Sequence, residues 1–107
     1  GTVLNDISES EALRAVFSDR LDTLPVSSTK PIHGHALGAA GAIELVITVK
    51  ALQEQIAPPT INWLAPDPKC GLDPVANEAR PHPIRAALSN SFAFGGINAT
   101  LAIKALD

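Results

Sequence analysis

Three side chains whose types and spacing suit acid–base chemistry lie in one charge-poor stretch. Lys30 and His35 are five residues apart, and Glu44 follows nine residues after His35. A cationic lysine near an imidazole favours its neutral form, which can donate one hydrogen bond to a developing oxyanion. Glu44 interrupts an apolar run, where a carboxylate is costly without a partner, so Lys30 is its candidate counter-ion. Plainer roles also fit: His35 as a helix cap or a partner of a core carbonyl, and Glu44 at a solvent-facing helix edge.

A glycine turn beside two aromatic residues is the second candidate for chemistry. The run Phe92-Ala93-Phe94-Gly95-Gly96 places two large rings next to two residues without side chains. Glycines adopt unusual backbone angles and expose their N–H groups, so the turn can supply an oxyanion donor or act as a hinged gate. The alternative is an ordinary hairpin turn whose phenylalanines fill a core.

Metal and thiol chemistry have weaker support. His33 and His35 have the spacing of a ligand pair, but at least one more ligand is needed and His82 is the remaining histidine. Alternate residues share a face only on a strand, and glycines break this stretch. Cys70 has no adjacent histidine that would make it a thiolate. We therefore predict no metal site and a structural or incidental role for Cys70.

The composition describes one ordinary domain. The chain has 107 residues, of which 46% are hydrophobic and 18% charged, with a net charge of −3 and one cysteine. A mildly acidic chain without a basic run is a poor binder of nucleic acids or anionic membranes. A lone cysteine fits a reducing compartment, and no apolar stretch reaches the ~20 residues that span a bilayer. We expect a cytoplasmic protein that binds neither nucleic acid nor membrane.

Two features indicate a piece of a longer protein. The sequence contains no methionine, even at position 1. Between Thr23 and Pro66, the charged side chains are Lys30, Glu44, Lys50 and Glu54. So much uncharged surface needs cover, and we expect missing partners: the rest of the chain, a second copy, or both.

The first element is predicted to be an amphipathic surface helix over residues 5–19. Ser8 and Glu11 have the spacing of a capping box, in which each side chain satisfies a free backbone N–H at the helix start. The apolar face of this helix consists of Leu13, Val16 and Phe17. A short extended piece at 25–28 follows.

A core helix is predicted over residues 42–52, with its apolar run continuing to 55. It has almost no polar face, which is typical of a helix packed on several sides. The small residues before it allow close backbone approach to another element. Residues 45–49 alone would suit a strand, but the run is too long for one. Pro58-Pro59 is expected to end the helix.

The remaining chain is predicted to form an irregular segment and a hairpin. Seven prolines between 58 and 83 predict a well-defined loop path with a short strand at 60–63. Residues 84–92 and 97–106 have the pattern of two strands, joined by Phe94-Gly95-Gly96. We predict an antiparallel hairpin with both glycines at its turn.

Four ordered stretches resemble signature motifs of β-ketoacyl-acyl-carrier-protein synthases of the type I/II fatty-acid kind. Residues 28–41, Ser-Thr-Lys-Pro-Ile-His-Gly-His-Ala-Leu-Gly-Ala-Ala-Gly, resemble the lysine and second-histidine motif of that family. Residues 58–62 and 90–98 match two further signatures, and residues 1–6 look like the tail of a His-Gly-Thr-x-Thr stretch. The resemblance covers essentially the whole chain and corresponds to the C-terminal quarter of such an enzyme.

The resemblance implies an α/β fold of the thiolase-like type, with layers in the order α, β, α, β, α. Residues 1–107 would supply part of its C-terminal half. The implied activity is decarboxylative condensation of malonyl-carrier protein with an enzyme-bound acyl thioester, in fatty-acid or related lipid or polyketide synthesis. Substrates would be carried on the phosphopantetheine of acyl carrier protein, without a tightly bound cofactor. The implied partners are the missing N-terminal half, a second copy in a homodimer, and acyl carrier protein.

The resemblance also implies roles for individual residues. His35 matches the second catalytic histidine, which hydrogen-bonds the thioester oxygen as charge develops. Lys30 and Glu44 match the supporting pair that sets the charge and orientation of that histidine. Phe94 matches the gating aromatic residue, whose backbone N–H contributes to the oxyanion hole. The same gate turn contains Phe92, Gly95 and Gly96.

Several positions depart from the family pattern. The nucleophilic cysteine and the first catalytic histidine of the family lie upstream of position 1, so we expect this chain alone to be inactive. Ala93 replaces the usual glycine and should stiffen the gate, and Ile97 replaces a threonine and removes a hydroxyl near the pocket. Pro31-Ile32-His33 replaces the more typical Ser-Met-Thr. These differences bear on acyl-chain preference and allow a specialised lipid or polyketide enzyme.

Two alternatives to an enzyme are open at this point. A non-catalytic partner subunit of the chain-length-factor type shares the fold, lacks the nucleophile and shapes the acyl tunnel in a heterodimer. Retention of both Lys30 and His35 favours the enzyme, because a pure partner has no use for the pair. The third interpretation is a stable fragment without a function of its own.

Overall fold

The first helix begins earlier than its sequence pattern predicts. In the computed structural model, which describes residues 2–106, helix α1 spans Val3–Phe17. Thr2 is its N-cap, with extended backbone and a side-chain oxygen that accepts a hydrogen bond from the Asn5 N–H at 3.2 Å. The predicted capping box is wrong, because Ser8 lies inside the helix and not at its start. The motif predicted at residues 1–6 begins at Gly1, which lies outside the described residues.

Helix α1 buries a narrower face than predicted. Leu13 and Phe17 are half-buried, whereas Val16 is 73% exposed, so the described residues cover the predicted apolar face only in part. The helix gives way to a 3-10 turn at Ser18–Thr23, earlier than the predicted end at residue 19. This turn carries Leu21 into the core, where its side chain is fully buried.

A short strand and a one-turn helix precede the long helix of the fold. Strand β1 (Pro25–Val26) forms within the extended piece predicted at 25–28, and helix α2 (Lys30–His33) follows it. A 3-10 turn at Leu37–Ala39 then leads into helix α3 (Ala40–Glu54). The helix predicted over 42–52 is thereby confirmed, with two further residues at each end.

Helix α3 ends at Gln55, whose backbone is left-handed with φ of 57°. The prediction that Pro58-Pro59 ends the helix is therefore wrong, because the chain turns before it reaches the prolines. Ala40 and Leu52 are buried, whereas Val46 is 64% exposed. The described residues thus cover one side of a helix whose sequence predicts packing on several sides.

Very short strands organise the proline-rich segment. They are β2 (Ile56–Ala57), β3 (Asp73–Pro74) and β4 (Arg80–Pro81). β1 pairs with β3 in parallel, and β2 pairs with β4 antiparallel. The strand predicted at 60–63 is wrong, since Thr60 makes a single bridge to Ala76. The Asn77 side chain hydrogen-bonds both the N–H and the carbonyl of Trp63, at 3.0 and 2.8 Å, and holds this backbone in a turn.

The predicted hairpin is confirmed. Strands β5 (Ala86–Ala93) and β6 (Ile97–Lys104) pair antiparallel, with Phe94-Gly95-Gly96 between them. β5 begins at Ala86 and not at 84, because the Ile84 N–H and carbonyl bond to the Gln55 side chain at 2.8 and 2.9 Å. Those two backbone groups are therefore already hydrogen-bonded and do not pair with β6.

Much apolar surface stays open on the described residues. Helix α3 lies against β5 and β6, while α1, β1 and the hairpin border a largely apolar groove of about 710 Å³. The largely exposed apolar side chains include Val3, Leu4, Val16, Leu37, Leu64 and Leu106. Within residues 2–106, no helix is long and apolar enough to cross a membrane. The exposed apolar surface is the part of the molecule that needs cover.

Candidate functional site

Helix α2 carries Lys30 and leads directly into His35. Lys30 opens the helix, and its carbonyl accepts a hydrogen bond from the Gly34 N–H at 2.7 Å where the helix ends. Gly34 has φ of 80°, a left-handed conformation that glycine adopts without strain. The sharp turn at Gly34 therefore sets the direction in which His35 leaves the helix.

Lys30 and Glu44 form an ion pair between α2 and α3. The Lys30 ammonium group donates a hydrogen bond to the Glu44 carboxylate, which confirms the predicted pairing. The two side chains are only 30% and 15% exposed, so water screens the pair weakly. The alternative of a solvent-facing Glu44 does not hold. Each charge compensates the desolvation of the other and ties the short helix to the long one.

The His35 imidazole is exposed and oriented by its own backbone neighbour. Its Nδ1 accepts a hydrogen bond from the Leu37 N–H at 3.1 Å. A ring nitrogen that accepts carries no proton, so the neutral ring holds its proton on Nε2 and can donate from there. The same bond also caps the turn that leads into α3. The plainer capping role and the donor role are compatible, because they use different ring nitrogens.

A polar cavity of about 150 Å³ lies beside the ion pair. Its walls include Glu9, Ser27, Lys30, Glu44, Ser89 and Asn90. The Asn90 amide donates to the Glu9 carboxylate at 3.2 Å and accepts from the Thr100 hydroxyl at 3.0 Å. Asn90 thus links β5 to both α1 and β6 around the cavity. Sequence reasoning did not single out Asn90, although it opens the motif at 90–98.

The glycine turn projects from the end of the hairpin. Phe94 is 99% exposed there, so the alternative in which its ring fills a core is wrong within residues 2–106. Gly95 and Gly96 have φ of 82° and 79°, which a side chain would strain. Phe92, on β5, is 44% exposed. The turn therefore presents one ring on a backbone that only glycine adopts easily.

The start of α3 approaches the strand that leads to this turn. A Cβ placed on Gly41 would lie 3.9 Å from the Ser91 Oγ, an ordinary van der Waals distance, so α3 and β5 are in contact here at a spacing that does not require glycine. Gly41 follows His35 by six residues, and Ser91 precedes Phe94 by three. His35 and Phe94 are therefore each separated by only a few residues from this contact between α3 and β5.

The histidine pair considered as a metal site is used differently. The Nε2 of His33 lies 3.1 Å from the Thr29 hydroxyl, in a hydrogen bond within the α2 turn. In the described part of the chain, no three His, Cys, Asp or Glu side chains are grouped in a way that could hold a metal ion. Cys70 is a half-buried free thiol.

Comparison with known proteins gives a family for these motifs. The family model "Beta-ketoacyl synthase, C-terminal domain" matches residues 1–64. Nodulation protein E of Rhizobium sp. (strain N33) is 48% identical over 104 residues, which are 97% of this chain and 26% of that protein. The 3-oxoacyl-[acyl-carrier-protein] synthase 2 of Coxiella burnetii is 52% identical over 99 residues, covering 92% of this chain and 24% of that protein. The chain thus spans about a quarter of the length of these relatives.

Solved structures agree on the fold. A complex of a type II PKS acyl-carrier protein with its ketosynthase, bound to the hexaketide, matches with a TM-score of 0.95 and 40% identity, covering 99% of this chain and 26% of that one. The ishigamide ketosynthase/chain length factor matches with a TM-score of 0.93 and 36% identity, over 100% of this chain and 26% of that one. The predicted α/β fold, as part of a thiolase-like ketosynthase, is confirmed.

Proposed function

The chain belongs to the β-ketoacyl synthase C-terminal domain family, and on this basis we propose that it is the carboxy-terminal part of a 3-oxoacyl-[acyl-carrier-protein] synthase. The activity is that of the longer protein, in fatty-acid or related lipid or polyketide synthesis. Residues 1–107 alone are expected to be inactive, because acyl transfer needs a nucleophile that the family carries upstream.

The proposed reaction is a decarboxylative condensation. The bond between the malonyl carboxylate and C2 breaks, carbon dioxide leaves, and the electron pair remains on C2 as an enolate whose charge lies mainly on the thioester oxygen. C2 then attacks the carbonyl carbon of the enzyme-bound acyl thioester, a carbon–carbon bond forms, and the enzyme thiolate leaves. A donor that faces the thioester oxygen lowers the barrier to the first step.

His35 is the proposed donor. Its Nδ1 is occupied by the Leu37 N–H, which leaves the proton of the neutral ring on Nε2, and the side chain is exposed. The hydrogen bond to Leu37 also restricts the orientation of the ring before substrate arrives. A donor oriented in advance stabilises developing charge without reorganisation at the moment of reaction.

The Lys30–Glu44 pair is proposed to support this histidine. It fixes α2 against α3 on one side of the turn that presents His35. This weakly screened ion pair holds the short helix that leads to His35, whose tautomer is defined by the Leu37 N–H, and this arrangement is the observation that carries the proposed function.

Phe94 is proposed as the gate, with its backbone N–H as a second donor to an oxyanion. The support is its full exposure on a turn of two glycines with positive φ. Phe92, Gly95 and Gly96 are the remaining parts of the proposed gate.

A single substitution tests the role of His35 in the full-length protein. His35→Ala should abolish decarboxylation of malonyl-carrier protein, measured by carbon dioxide release, and should leave acyl loading on the nucleophile measurable. His82→Ala is the control, because this histidine directly follows β4 and lies outside the α2 turn; it should retain both activities. Wild-type decarboxylation by His35→Ala would remove this residue from the mechanism.

The second candidate function is a chain-length-factor-type partner of a ketosynthase heterodimer. It is favoured by the similarity to the ishigamide ketosynthase/chain length factor. The retained His35, Lys30 and Glu44 favour the enzyme. Peptide mapping of the full-length protein after loading with a radiolabelled acyl donor decides between them: an acylated cysteine supports the enzyme, and its absence supports the partner.

The proposed partners are the remainder of the same protein, a second copy in a homodimer, and acyl carrier protein. The apolar groove and the exposed apolar side chains of α1 support this proposal, because apolar surface of this extent is usually covered by other parts of a protein or by a partner. No tightly bound cofactor is proposed, since the phosphopantetheine belongs to the substrate carrier. A cytoplasmic location is proposed with this function, and the single cysteine of residues 1–107 fits a reducing compartment.

A further inference from the structure

Thr29 is a buried helix-capping residue that does not cap its helix. It occupies the N-cap position of α2, where threonine commonly accepts a hydrogen bond from a backbone N–H of the first turn. Here no such bond forms. The Thr29 side chain is largely removed from solvent, at 8% exposure, and its hydroxyl lies 3.1 Å from Nε2 of His33. The hydroxyl is thus committed to a side chain one turn further on.

The Thr29–His33 bond brackets the segment that carries the proposed site. Thr29 immediately precedes Lys30, and His33 immediately precedes Gly34 and His35. A four-residue helix is far too short to be stable by itself, so its geometry depends on such links. The backbone bond from Gly34 to Lys30 is one link, and the Thr29–His33 bond is the side-chain link across the same turn.

The two ends of α2 are anchored unequally. The Ser28 N–H donates to the Thr60 hydroxyl at 2.9 Å, and Lys30 pairs with Glu44, so the beginning of the helix is tied to two other segments. The end of the helix is held within its own turn, by the Gly34–Lys30 backbone bond and by the bond from His33 back to Thr29. If the end of α2 at His33 moves, the direction of His35 therefore changes more than the direction of Lys30 does.

We propose that His33 is a positioning residue, whose ring, held by the buried Thr29 hydroxyl, fixes the orientation of His35. The inference rests on the proposed function for its effect on rate, and on the structure alone for its effect on the ring. His33 does not touch substrate in this proposal. The hydroxyl can donate to an unprotonated Nε2 or accept from a protonated one, so the bond serves either state of the ring.

The proposal distinguishes three substitutions in the full-length protein. Thr29→Val and His33→Leu remove the bond, and His33→Gln restores a group that can donate or accept near the position of Nε2. Misorientation of a donor that acts in the transition state lowers kcat more than it raises KM. We expect kcat for malonyl-carrier protein decarboxylation to fall roughly 3- to 10-fold in the first two variants, with KM changed by less than about two-fold, and to recover in His33→Gln.

Matched controls separate positioning from general damage. Thr23→Val removes an exposed hydroxyl that bonds to the Arg20 carbonyl, and His82→Gln replaces a histidine outside the α2 turn. Both should keep wild-type kcat. The second readout is the ¹H–¹⁵N spectrum of the histidine rings, with the His35 signals assigned by their loss in His35→Ala. We expect those signals to move in Thr29→Val and His33→Leu and to return in His33→Gln.

The rate of decarboxylation and the His35 ring signals can each contradict the proposal without the other. Unmoved His35 signals in His33→Leu overturn the positioning role, whatever the rate. Equal loss of kcat in His33→Gln and His33→Leu also overturns it, since a structural role would not be rescued by the amide. If the wild-type protein does not decarboxylate malonyl-carrier protein, the proposed function fails, while the ring signals still decide whether His33 orients His35.

Discussion

Lys30 and Glu44 pair across fourteen positions of sequence, from the one-turn helix α2 to the first half of α3. The other end of α3 carries a second pair of the same residue types, Lys50 and Glu54, at 2.9 Å with both side chains 59% exposed. The hydrogen bond from Lys50 and its charge lower the pKa of Glu54. Helix α3 therefore takes part in two pairs of the same residue types: a shielded pair with Lys30 of α2 and an exposed pair within α3.

Breaking the shielded pair should cost more than breaking the exposed one. Glu44→Gln leaves the Lys30 ammonium partly buried without its counter-ion, so we expect the free energy of unfolding to fall by about 1–2 kcal/mol, less than for a fully buried pair. Glu54→Gln, the matched control, should leave the free energy of unfolding almost unchanged, because water screens this exposed pair. Urea unfolding of the full-length variants measures the two changes in stability. Malonyl decarboxylation by the same variants measures any accompanying change in activity.

The double variant Lys30→Met/Glu44→Gln separates stability from chemistry. Removing both charges relieves the unpaired ammonium group, so part of the lost stability should return while decarboxylation stays low. Recovery of activity in the double variant would show that the pair serves folding alone. An equal loss of stability in Glu44→Gln and Glu54→Gln would show that the first pair is no better shielded than the second.

Gln55 joins the end of α3 to the segment before β5. Its amide donates to the Leu52 and Ile84 carbonyls and accepts from the Ile84 N–H, while its backbone is left-handed. Gln55→Gly removes the strain of a left-handed backbone but loses the three side-chain hydrogen bonds. Gln55→Ala loses the same bonds and keeps the strain. We expect Gln55→Ala to be less stable than Gln55→Gly by about 1 kcal/mol, and both less stable than wild type. Urea unfolding checks the order; a Gln55→Gly protein as stable as wild type would contradict a role for the side-chain bonds.

The elements that sequence predicts correctly are those with a local cause. Alternating apolar residues around two glycines predict the hairpin, and a continuous apolar run predicts α3, because each pattern acts within the element itself. The scarcity of charge in the same region makes Lys30 and Glu44 each other's natural partner. These features need no knowledge of the rest of the fold.

The elements that sequence misses depend on residues far away. β5 starts late because Gln55, twenty-nine positions earlier, occupies the backbone of Ile84. The strand predicted at 60–63 is lost to a side chain fourteen positions later, Asn77 on Trp63. The Thr29–His33 bond had a local signal, a hydroxyl and an imidazole four residues apart, but only a helix in this stretch makes that spacing a contact.

Phe94 should be dispensable for folding and important for the order of reaction. Its side chain is 99% exposed within residues 2–106, so the ring makes little contact there. Phe94→Ala should therefore change the free energy of unfolding of the protein by less than about 0.5 kcal/mol. Without the ring, malonyl-carrier protein should enter before an acyl group is loaded, and carbon dioxide release without acyl donor should rise several-fold. Leu101→Ala is the control, because this side chain is also half-exposed but lies on β6 away from the turn, so its loss should lower stability without this change. Unchanged selectivity between acyl and malonyl substrates in Phe94→Ala would count against the gate.

Ala93 should limit how far that gate opens. It pairs with Ile97 as the last pair of the hairpin, so the unpaired turn consists of Phe94-Gly95-Gly96. Glycine in a strand costs about 0.5–1 kcal/mol relative to alanine, so Ala93→Gly should open this pair more often and raise hydrogen exchange of the peptide 92–98 about two- to five-fold. Carbon dioxide release without acyl donor should rise with it, because a longer turn swings more freely.

A control on the same hairpin distinguishes this effect from general weakening. Ala102 pairs with Leu88 in the middle of the strands, and Ala102→Gly should loosen the sheet there while the pair at the turn stays closed. Hydrogen exchange should then rise in the peptide around residue 102 and not in the peptide 92–98. Carbon dioxide release without acyl donor should stay at the wild-type level. Equal release in both variants would show that stability of the hairpin as a whole, and not the closing pair at Ala93, sets the opening of the gate.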